Sequence, residues 1–116
     1  MTTAIIPADL ALSHLRADAG TEDALIDLYL GAAVEHAEQF LNRRLYATTD
    51  DMAEAVLAGT AGDDPIIVNN AIRAAILLIL GKLYANREDV VVGATVSQLP
   101  DGAEHLLQPY RVGLGV

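Results

Sequence analysis

The chain has 116 residues, the length of one domain, and 53% of them are hydrophobic, ample material for a core. Sixteen acids against seven Lys plus Arg leave a formal charge of −9, which repels phosphate and argues against autonomous nucleic-acid binding. Aromatic residues make up only 4%, too few for a base-stacking platform, and the absence of Cys removes disulfide frameworks and thiol catalysis.

The N-terminal stretch MTTAIIPADLALSHL lacks a basic segment followed by a long apolar run, so a soluble protein made in the cytoplasm is expected. Pro7 fits the first turn of a short helix carrying Leu10, Leu12 and Leu15 and ending near Ala17. Asp18-Ala19-Gly20 reads as a turn. Thr21 is then a candidate N-cap, with Glu22 and Asp23 in a first turn where the helix dipole favours negative charge.

A long helix is predicted from about Glu22 to Asn42. Leu25, Ile26, Tyr29, Ala33, Ala37, Phe40 and Leu41 recur at spacings of three and four, and Asp27, Gly31, Glu35, Glu38 and Asn42 fall on the other side. Arg43 and Arg44 sit at its C-terminal end, where cations are favoured. The Ala47 to Asp64 stretch is harder to place: Asp50 is a candidate cap for a short helix through Met52 and Val56 to Leu57, stopped by Gly59 and Gly62.

The segment NAIRAAILLILGKLYANRE, Asn70 to Glu88, predicts a central helix that is apolar on nearly every side and needs surrounding. Asp64-Pro65 is one candidate start, as N-cap and first helical position, and Asn69 or Asn70 is the other. Lipid is the weakest candidate surrounding. A span needs roughly 20 mostly apolar residues, and Arg73 and Lys82 closely bracket the apolar run. After Asp89, VVVGATV reads as an extended loop or a short edge strand. Pro100-Asp101-Gly102 opens a last short helix, AEHLLQ, ended by Pro109, and Tyr110 to Val116 is expected to be flexible unless something holds it.

No phosphate-cradling loop or nucleophile elbow is present. Glu35-His36 and Glu104-His105 place acid and imidazole on adjacent residues, roughly 100° apart on a helix, which suits one metal poorly. Glu35 and Glu38 share a face, but a solvated acidic surface accounts for them. No catalytic, cofactor or metal site is expected. Arg87-Glu88 reads either as a subunit-contact pair or as a helix-end arginine beside a solvated acid. Tyr110 and Arg111 are residue types enriched in interface cores, though they can equally pack back on the domain.

Three segments carry a resemblance. They are Leu12 to Leu45, with its His-Leu-Arg-x-Asp pattern and long amphipathic helix, Ala71 to Asp89 (AIRAAILLILGKLYANRED), and Leu99 to Val112 (LPDGAEHLLQPYRV). In this order they resemble the small head–tail connector proteins of long-tailed bacteriophages, head-completion adaptors that form a ring beneath the portal. The Ala47 to Asp64 segment departs from that pattern. The resemblance implies an all-α small helical bundle with two long helices, short N- and C-terminal helices, and an extended loop or tail used in ring assembly. It implies a single connector domain over residues 1–116, with 110–116 a flexible tail. It also implies a homo-oligomeric ring, dodecameric on the capsid, that carries no cofactor, performs no catalysis and contacts no membrane. The portal protein and a downstream neck or tail-completion protein would be its partners, and DNA would pass through without specific binding. The location would be the virion neck, after synthesis in the bacterial host cytoplasm. Phages, prophages and gene transfer agents all use such parts.

On this resemblance Tyr84, Arg87, Glu88, Leu106, Leu107, Tyr110 and Arg111 are the candidate subunit or partner contacts. Asp27, Glu35 and Glu38 are the candidates for acids facing the channel, where like charge would keep DNA from adhering. The rival reading is a stand-alone acidic helical binding or regulatory module, which predicts a monomer or dimer with an exposed groove. A helical-bundle enzyme using Glu35, His36 and Glu38 is a weaker rival.

Overall fold

In the computed structural model, residues 4–16, 20, 23–62, 64–85 and 101–112 are described. Their order is α1 (Ala8–Leu15), α2 (Asp23–Leu41), β1 (Leu45–Tyr46), α3 (Thr49–Ala58), β2 (Ile66–Ile67), α4 (Asn70–Ala85), α5 (Asp101–Leu107) and a 3-10 turn (Gln108–Tyr110). The fold is the expected all-α bundle, with one addition: a two-stranded parallel ladder pairing Leu45 with Ile66 and Tyr46 with Ile67.

Helix α1 starts where Pro7 predicts: the Pro7 carbonyl accepts from the amides of Leu10 and Ala11. It stops at Leu15, with Arg16 left-handed at φ 57. Entry to α2 is braced by Asp23, whose Oδ1 accepts from the Gly20 amide at 2.9 Å. The Thr21 cap and Glu22 lie outside the described residues. Along α2 the buried face is Ile26, Tyr29, Ala33, Ala37 and Leu41, the expected stripe, with Leu25 and Phe40 half-buried at its edges. A helix of this length spans about 28 Å.

The segment that resisted reading is a closed excursion. Thr48, not Asp50, caps α3: its Oγ1 accepts from the Asp51 amide at 3.1 Å. Asp50 and Asp51 instead occupy the first turn, where they complement the helix dipole. Gly59, at φ 75, ends the helix, since a left-handed residue there costs glycine nothing sterically. Asp64-Pro65 does not open α4. It leads into β2, where the Ile66 amide donates to the Arg44 carbonyl and the Val68 amide to that of Tyr46. The helix begins at Asn70 with Asn69 as its cap, the Ile72 amide donating to Asn69 Oδ1 at 2.9 Å. An Asn69→Ala chain is expected to lose about 1 kcal/mol of stability by urea titration, and an unchanged midpoint would mean the cap is redundant.

Helix α4 lies at the centre, packed against α2, α5 and α1. Ile72, Ala75, Ile76, Ile79, Leu80 and Leu83 are buried against the small Ala33 and Ala37 of α2, Ala11 of α1, and Ala103 and Leu107 of α5. A helix apolar on nearly every side needs such surroundings. Its own domain encloses it and leaves Ala74 and Leu78 exposed. Close approach is helped by Gly102, where a Cβ would lie 3.2 Å from Leu78 Cδ1. Leu77 is half-buried.

Candidate assembly surface

The end of α2 collects the polar contacts that tie the chain together. Asn42 turns left-handed at φ 58, bringing Arg43 back beneath the helix. Arg43 donates from Nε to the Asp64 carbonyl at 2.7 Å and from Nη1 to the Tyr110 carbonyl at 3.1 Å. Asn42 Nδ2 donates to the Val112 carbonyl at 2.9 Å, and the Val112 amide donates to the Leu41 carbonyl. Arg111 lies over the Phe40 ring at 4.5 Å, a cation–π contact, and its Nε is buried without a hydrogen-bond partner. Of the expected free tail, Tyr110, Arg111 and Val112 are thus fastened to α2. The tail adds a bond to the Leu41 carbonyl to a C-cap already made by left-handed Asn42, where the Arg43 amide donates to the Glu38 carbonyl.

The other predicted contact residues are scattered in role. Tyr84 and Leu106 are half-buried against the core. Leu107 is fully buried in the core of its own domain. Arg87 and Glu88, like the VVVGATV stretch, lie outside the described residues.

The acids of α2 divide similarly. Asp27 and Glu35 are exposed. Glu38 is half-buried, and its Oε2 accepts from the Leu45 amide at 2.9 Å, steering the chain from α2 into β1. Asp27 borders an apolar groove of about 400 Å³ lined by Ile5, Leu30, Val34, Leu45 and Ala47. Glu35 and Glu38 share a polar cleft with Gln39, Asn42, Arg43 and Arg44. Among the described residues no group of three or more His, Asp or Glu side chains is placed to hold a metal ion. None of the described helices is long and apolar enough to cross a membrane.

Two features escaped the sequence. Arg43 reads as an ordinary helix-end cation, because its carbonyl partners lie 21 and 67 residues away and leave no local signal. The outward face of α3 was also missed: Leu57 is 90% exposed and Val56 55%. The available signal was that α3 has only ten residues and is closed by Gly59 and Gly62, too short to bury two faces.

The described chain is a small bundle of closely packed helices, with Val112 fastened to the end of α2 and Leu57 directed outward. Residues 11–111 match the family of phage gp6-like head-tail connector proteins, and the chain belongs to that family. It is thus a structural phage protein that links head and tail and works with other head and tail proteins. Among curated proteins and solved structures, nothing matches the chain.

Proposed function

We propose that the protein assembles as a closed ring, dodecameric on the capsid, that seats beneath the portal protein. The ring extends the DNA exit channel and receives the next neck or tail-completion protein. The match to the connector family over nearly the whole chain is the observation that supports this reading. A head-to-tail contact repeated around an axis builds such a ring from one pair of patches. Tyr84, Leu106, Tyr110 and Arg111 border the subunit or partner contact, with Arg87 and Glu88 at the end of the same connector motif, while Leu107 supports them from beneath. Asp27 and Glu35 border the channel. In a channel filled with phosphate, fixed negative charge disfavours adhesion of the passing DNA, and Glu38 adds its charge from the turn it holds. The protein acts as an adaptor, without catalysis, and sits in the neck of the virion.

Electron microscopy of the purified chain, alone and incubated with portal rings, tests the proposal. Closed rings that cap the portal around an open channel are expected. A chain that stays monomeric in both conditions overturns it in favour of a free-standing acidic module. In a reconstruction, Asp27 and Glu35 on the outer rim would remove the acidic lining.

A further inference from the structure

Four described helices expose a large apolar side chain, Leu10 on α1, Leu28 on α2, Val56 and Leu57 on α3 and Leu78 on α4; Leu57 is the most exposed of these, and α3 and α4 carry opposite charge. On α3, Ala53, Val56 and Leu57 are exposed, and the equally exposed Asp50 and Glu54 lie beside them at helical neighbour spacing. This helix has three acids, Asp50, Asp51 and Glu54, and no base. On α4, Ala74 and Leu78 are exposed, with half-buried Leu77 alongside. Its only charged residues are Arg73 and Lys82, which fall on opposite edges of that face at 100° per residue. An acid-flanked ridge and a cation-rimmed face thus occur on one molecule.

Their positions are separate. Helix α3 packs chiefly against β1 and β2, away from the α2, α4, α5 core. Neither patch suits a second copy of itself: α3 on α3 would set carboxylates against carboxylates, and α4 on α4 would oppose Arg73 and Lys82 to their own kind. Charge complementarity therefore selects a heterologous contact, which generates rings where the rotation closes.

We propose that α3 of one copy packs along the exposed face of α4 in the next, with Leu57 against Leu78 and the acids beside the rim cations. This rests on the ring reading above and names the contact that builds the ring. It covers the part of the central helix that the described residues leave open, and it gives a role to α3.

The absence of native Cys makes the contact directly testable. An oxidised equimolar mixture of Leu57→Cys and Leu78→Cys chains is expected to give covalent dimers, and a chain carrying both substitutions a ladder of linked subunits. Leu57→Asp is expected to keep the circular dichroism and melting of the parent chain, because the side chain is almost wholly exposed. Its association, followed by sedimentation, should be weaker by at least roughly tenfold. Parent rings together with Leu57→Asp rings of equal strength, and no Leu57–Leu78 link, would overturn the contact and leave the ring reading standing. Leu57→Cys chains that link only to one another would overturn it too. A parent chain that forms no ring with or without portal removes both proposals.

Discussion

Leu80→Ala is expected to lower the free energy of unfolding by about 2–5 kcal/mol. Leu80 has no exposed surface, and it sits in α4 with Ile76 and Ile79 in a cluster closed by alanines from neighbouring helices. Alanines cannot reach into a vacated space by changing rotamer, so the cavity should stay open, and the cost belongs toward the upper part of that range. Domains are held by only about 5–15 kcal/mol in total, so a large share of the folded population would be at risk at 37 °C. Urea titration should show a lowered midpoint at unchanged slope. Leu57→Ala supplies the contrast: at 90% exposure it should shift stability by no more than about 0.5 kcal/mol. Equal losses for the two leucines would contradict the packing described.

Arg43→Ala should have the largest effect of any surface polar substitution, about 1–3 kcal/mol, and the effect should be local. The guanidinium joins the 59–65 loop and the C-terminal turn to the end of α2 through carbonyls of Asp64 and Tyr110. Its loss leaves the Val112 amide bond to Leu41 as one of the few remaining fastenings of the chain end. Hydrogen exchange at Val112 should therefore accelerate far more than exchange in α4. Arg43→Lys should fail to restore both bonds, because an ammonium lacks the planar fork that reaches two carbonyls at once. Unchanged protection at Val112 would show that Asn42, the Leu41 carbonyl and Arg111 on Phe40 hold the segment without Arg43.

The parts of the fold that were legible in the chain are those set by periodicity and by local caps. The α2 stripe from Ile26 to Leu41 and the start of α1 at Pro7 follow from spacing and residue type alone. Long-range pairing was not legible. Two-residue strands such as Leu45–Tyr46 and Ile66–Ile67 have no detectable period, and they turned the proposed helix start at Asp64-Pro65 into a strand entry. Asp50 reads as the α3 cap where Thr48 serves, because both residue types cap helices and nothing local separates them. For the assembly surface, residue type pointed to Tyr110 and Arg111 but not to Leu57, whose exposure depends on where the short helix stands against the ladder. Leu107 is buried because it lies four residues after buried Ala103, on the inward face of α5, while Leu106 is half-buried.

The parallel ladder has a consequence for how such chains diverge. It joins the two ends of the α3 excursion at its base, so the residues between Tyr46 and Ile66 start and finish at one fixed clasp. Lengthening an already closed loop adds only about 0.6 kcal/mol per doubling. The excursion is thus a cassette that can be trimmed, extended or recoded with little penalty to the bundle, letting one scaffold be refitted to different neighbours.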